Sequence, residues 1–156
     1  MRAMLLTVIL AGNTWAAVPS DATETHAMRA ELQKQRQDIV AGVLELTDDE
    51  ALAFWPAYRD YRVEMARLGD RMVKLIDEFV ASSDALSDAQ AARMVDEHLA
   101  IQAERVAVRQ KHVKTFRKIL PATKLARFVQ IENKLDATID HELAMAIPMA
   151  LQPAAK

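Results

Sequence analysis

Large apolar residues stand at Phe54, Tyr58, Tyr61, Met65, Leu68, Met72, Leu75 and Phe79, separated by 4, 3, 4, 3, 4, 3 and 4 positions. A strand repeats every second residue, so this spacing places all eight on one stripe of a helix. Sustained alternation of three and four is also the pattern by which one helix packs along another. From a start near Thr47 to about Val80 the rod would be ~50 Å long at ~1.5 Å per residue. Pro56 lies early in it; it has no N–H and crowds the Leu52 carbonyl, which predicts a kink.

Two short phrases punctuate this pattern, LTDDE at Leu46–Glu50 and LSDAQ at Leu86–Gln90. In each, a hydroxyl residue (Thr47, Ser87) can accept a bond from a free N–H of the first helical turn. The residue three positions on (Glu50, Gln90) can reach back to the cap's own N–H, completing a capping box. Leu46 and Leu86 precede the caps, where a hydrophobic staple sits. Both phrases read as helix starts, with Ala81–Ala85 as the intervening turn. A first helix is expected over about Glu24–Leu44, with Met28, Leu32, Ile39, Val40 and Val43 toward one side and Gly42 helping to end it. The Ser87 helix suggests a seam through Ala92, Val95, Leu99, Gln102, Val106, Arg109, Val113, Phe116 and Leu120. Pro121 ends that helix or opens a last one carrying Leu125, Phe128, Leu135, Ile139 and Leu143. Alternating β-branched runs are missing. The expected fold is all-α: about four helices, two of them long, in antiparallel hairpins that leave apolar surface uncovered. That open surface predicts a dimer or a face kept for partners.

The ends of the chain read differently. Residues 1–16 carry Arg2, an apolar run Met4–Ala11, then Asn13 and small Thr14 and Ala16. This has the form of an export signal reaching to about residue 20 and cleaved near Ala16; the run is too short for the ~20 residues a membrane span needs. A single helical domain is expected over 21–147, with 148–156 a disordered tail, in an exported protein.

Several chemistries are disfavoured. Cysteine is absent, and the three glycines (Gly12, Gly42, Gly69) are too dispersed for a phosphate-cradling loop. The four histidines (His26, His98, His112, His141) have no His, Asp or Glu three or four positions away, the spacing a helical metal pair needs. No Ser/His/Asp arrangement is readable. Neither an enzyme, a metal site nor a cofactor is expected. The net charge of −2 gives no global field for nucleic acid.

Two features speak for a surface. Phe54, Trp55, Tyr58 and Tyr61 make up half of the eight aromatics and form either hairpin core or an exposed patch for apolar segments. Arg105, Arg109, Lys111, Lys114, Arg117, Lys118, Lys124 and Arg127 follow one another with no acid between Arg105 and Ile131. Such a block either pairs with acids elsewhere, among them Glu132, Asp136, Asp140 and Glu142, or presents a positive field to acidic partners. The basic residues, together with Phe54, Trp55 and Tyr58, are the candidate client-binding positions.

With two Leu-hydroxyl-x-x-Glu/Gln phrases, a long seam and an export-like leader, the chain resembles the Spy/CpxP-type periplasmic proteins, marked by a repeated Leu-Thr-x-x-Gln motif. Here Glu50 stands in the Gln position and Ser87 in the Thr position, and LPATK at Leu120–Lys124 falls where a further degenerate copy could sit. The likeness covers about Thr47 to Leu143. It implies a periplasmic location and a cradle-shaped antiparallel homodimer that binds unfolded or misfolded envelope proteins without ATP. The alternative it implies is a regulatory partner of a membrane sensor kinase in an envelope-stress response. Some related members respond to metals through histidines, a branch that the histidine spacings here do not favour.

Overall fold

The computed structural model describes residues 22–145, 147 and 149; the export-signal expectation and nearly all of the expected tail lie outside them. Four helices follow one another: α1 (Ala22–Leu44), α2 (Asp48–Ser82), α3 (Asp88–Phe116) and α4 (Ala122–Met145), with a 3₁₀ turn at Ser83–Ala85 between α2 and α3. No strand occurs among the described residues. α2 packs along α3, and α1 along α4.

Both capping boxes form. Glu50 N donates to Thr47 Oγ1 at 3.3 Å while Thr47 N donates to Glu50 Oε2 at 2.9 Å; Gln90 N to Ser87 Oγ (3.3 Å) and Ser87 N to Gln90 Oε1 (3.1 Å) repeat the pattern. Leu46 and Leu86 pack against the core beside them, as staples would. Glu50 does a second job. Its Oε2 accepts from Lys124 Nζ at 2.6 Å, and Lys124 also donates to the Glu45 carbonyl at 2.8 Å, so the start of α2 is fastened to α4.

The α2 stripe is buried from Phe54 through Leu75, with Phe79 half-buried at its end. α2 runs as one helix through Pro56. The carbonyl that Pro56 leaves unbonded belongs to Leu52, which stands in solvent where water can satisfy it. Phe54 is fully buried and stacks on Tyr58 (centroids 5.5 Å apart), with Phe116 of α3 at 5.3 Å and Phe128 of α4 at 5.6 Å. Val40 and Leu44 of α1 close the cluster. The aromatic cluster is therefore core, and Phe54 and Tyr58 cannot serve as the exposed client-binding residues expected of them; Trp55 is half-buried against the same cluster.

α3 differs from its expected register. Val95, Leu99 and Val106 are 59%, 61% and 51% exposed, while Met94, Ile101 and His112 face inward with Phe116. The two stripes differ by one residue, a rotation of about 100°. Polar residues disguise the inward one, because each has found a partner: Glu97 with Arg71, Arg105 with Asp140, His112 with Glu64. The seam agrees with expectation only toward its end, at Val113, Phe116 and Leu120. Pro121 opens α4, its carbonyl accepting from Leu125 N at 2.9 Å.

Gly42 does not terminate α1. The helix stops where Glu45 takes a left-handed conformation (φ 48°), the only non-glycine residue to do so among those described. For an L-residue this costs about 1–2 kcal/mol. Replacing Glu45 by glycine removes that penalty and returns part of it as unfolded-state entropy, about 0.4–1 kcal/mol. Glu45→Gly is expected to raise the urea midpoint, and Glu45→Val, β-branched at positive φ, to lower it. Equal midpoints for the two variants would show that the conformation carries no strain.

Candidate functional site

One residue of α1 reaches the centre of the molecule. Arg36 lies one turn before Val40 and two before Leu44, so its side chain follows the stripe that α1 buries, and it is only 2% exposed. The other helices meet it with pairs four residues apart: Tyr58 and Arg62 on α2, Arg105 and Arg109 on α3, Glu132 and Asp136 on α4. Arg36 Nη1 donates to Glu132 Oε2 at 2.9 Å and Nη2 to Asp136 Oδ1 at 2.8 Å. Glu132 also accepts from the Tyr58 hydroxyl (2.9 Å) and from Arg62 (3.3 Å), and Asp136 from Arg109. Arg105 binds Asp140 at 3.0 Å one turn further along α4.

Burial alone would push the Asp136 carboxyl up. The Arg36 charge and the bonds from Arg109 and Arg36 outweigh burial and hold it below the usual aspartate range. Burial likewise opposes the charge on Arg36, but Glu132 and Asp136 keep its guanidinium firmly protonated. Tyr61, beside the network, is pushed up to about 12 by burial and then by Glu132 and Asp136. Asp136 is held ionised and Tyr61 keeps its proton near neutrality, so the network is suited to fixing helices against one another rather than to moving protons.

Of the eight candidate basic residues, five are engaged within the chain. Arg105 and Arg109 join the network; Lys111 pairs with Glu64 (2.7 Å), Lys124 with Glu50 and Arg127 with Glu45 (3.6 Å). Lys114, Arg117 and Lys118, at the end of α3, are exposed and have no acidic partner among the described residues. The positive field is thus a patch of three charges rather than a face of eight.

The apolar surface lies elsewhere. Past the point where Leu143 packs on Val73 and Ile76, the helices enclose a groove of about 490 Å³. Met72, Leu75 and Phe79 of α2 form one wall, Met94, Val95 and Leu99 of α3 the other, and Leu143, Ala144 and Ile147 the floor. Its polar contributions are His98, Gln102 and Asp140. Leu99 and Lys114 are fifteen residues apart on α3, so the groove and the unpaired basic patch stand roughly 22 Å from each other. The aromatic cluster, core or patch by sequence, is core, and the exposed apolar surface lies instead on the α3 stripe of Val95, Leu99 and Val106 that the spacing assigns to a buried seam.

No family model, curated protein or solved structure matches this chain. Among the described residues no group of three His, Asp or Glu side chains is disposed to hold a metal ion, and no helix is long and apolar enough to cross a membrane.

Removing the central cation tests the network. Arg36→Met leaves two buried carboxylates with fewer partners and is expected to cost about 3–5 kcal/mol by urea unfolding. The pH dependence follows from Asp136, whose folded pKa lies below its unfolded value of about 3.9. Its contribution is complete above that value and is lost as pH falls through the folded one. Without Arg36, burial acts on Asp136 with less opposition, so helicity measured against pH should collapse at higher pH in the variant. An acid transition identical to that of the parent would mean that Arg36 does not govern this carboxylate.

Proposed function

We propose that this protein is an exported, non-enzymatic, chaperone-like binder of unfolded or misfolded envelope proteins, acting as a homodimer. The observation that carries the reading is the open apolar groove, where Val95 and Leu99 are more than half exposed beside Met72 and Met94. Methionine is unbranched and polarisable, so a wall of Met and Leu adapts to varied apolar segments without selecting one sequence. Its wall of Val95 and Leu99 stays open to solvent, so segments are held weakly and released without an energy source. Lys114, Arg117 and Lys118 add a local field that speeds encounter with acidic partners while adding little to their grip. Val106 continues the exposed face of α3 beyond the groove, seven residues or two turns after Leu99, and a second copy is the simplest means of covering it. The likeness to the Spy/CpxP-type proteins in the two capping phrases agrees with this reading.

A periplasmic regulatory partner of a membrane sensor kinase is the second reading, because the same groove could be reserved for one docking helix. Selectivity separates the two. The paired substitution Val95→Asp with Leu99→Asp, which changes exposed positions only, is expected to weaken suppression of aggregation several-fold for two unrelated reduced client proteins, with helicity unchanged. Reversing Lys114, Arg117 and Lys118 to Glu should slow capture at low salt and make no difference at high salt. Full suppression by the groove variant would remove the chaperone reading. Failure of the parent chain to act on either client, with saturable binding to a sensor domain, would favour the regulator.

A further inference from the structure

Nearer the start of α2 than the groove, α1 and α2 leave a second opening of about 370 Å³, lined by Arg36, Gln37, Tyr58, Arg59, Arg62, Val63 and Ala66. Three of these seven carry a guanidinium and none carries an acid. Arg36 is buried, and although its two terminal nitrogens bind Glu132 and Asp136, its Nε has no hydrogen-bond partner. A buried N–H left unbonded is costly, by about 1–3 kcal/mol. Arg62 spends one nitrogen on Glu132, at the long distance of 3.3 Å. Arg59 makes no ion pair with any described residue. Behind the cleft, Glu132 is already engaged by Arg36, Tyr58 and Arg62, so it does not neutralise Arg59.

We propose that this cleft is a binding site for a small organic oxyanion, a carboxylate or phosphoryl group. The planar guanidinium fork matches both of these with paired hydrogen bonds. Arg59 and Arg62 supply the fork, and Gln37 supplies an amide. Val63, Ala66 and the ring of Tyr58 give the carbon part of the ligand an apolar wall. The opening is larger than a bare phosphate, which favours an anion carrying a short carbon skeleton. This site is independent of the groove and of its proposed clients.

The test is titration calorimetry and thermal unfolding of the full chain with inorganic phosphate and with succinate, against chloride at equal ionic strength. One or both oxyanions should raise Tm by several degrees beyond chloride, and which of them does so identifies the phosphoryl or the carboxylate class. Arg59→Ala removes an exposed, unpaired side chain and should leave Tm without ligand unchanged while weakening binding at least tenfold. Arg62→Gln should weaken it likewise. Equal Tm values in all three salts would overturn the proposal. So would undiminished binding in Arg59→Ala, or full restoration by Arg59→Lys, since lysine keeps the charge without the fork.

Discussion

A guanidinium with almost no access to water organises this protein. Arg36 can be buried only because two carboxylates arrive from α4, and those carboxylates are tolerable only because α2 and α3 bring further donors to them. Each helix therefore depends on the others being in register. Sliding α4 by one turn would leave charges unpaired in the interior, whereas sliding it over a purely aliphatic surface would exchange one set of contacts for another. The apolar core supplies most of the attraction, and the buried charges narrow the ways in which it can be assembled.

The elements that were readable in the sequence are those whose signals are local. Thr47 with Glu50 and Ser87 with Gln90 mark helix starts through bonds confined to four residues, and the spacing of Phe54 to Leu75 marks a buried face because nothing polar interrupts it. The elements that were not readable depend on residues far apart in the chain. Arg36 looks like an ordinary surface residue of α1 until Glu132 and Asp136, about a hundred positions away, are placed opposite it. Those acids occupy inward positions on α4 where a heptad rule expects leucine. The same cause misplaced the α3 face: Glu97, Arg105 and His112 broke the apolar count on the stripe that faces inward. The left-handed Glu45 had no signal, since glycine or asparagine would be the usual residue there.

The molecule is divided into two unlike ends. Near the α1–α2 and α3–α4 connections, aromatic rings from three helices are interlocked, Phe116 and Phe128 being only 4.7 Å apart. Toward the α2–α3 connection, methionine and aliphatic side chains take over, and part of them faces solvent. Rings with few rotatable bonds make a firm anchor, while thioethers reshape at little cost. Rigidity is thus concentrated where the chain closes on itself, and adaptability at the α2–α3 end.

The origin of that adaptable end is a matter of length. Fastened together by Lys124 at Glu50, α2 and α4 begin flush. α2 then continues for 35 residues, about 52 Å, while α4 has 24, about 36 Å. The shorter helix runs out first, and the hairpin tip overhangs it like a ledge. The depth of that notch is set by how many residues each helix contains rather than by which ones. Lengthening or shortening α4 at its far end, beyond Asp140, would close or deepen it without disturbing a single side chain at the anchored end.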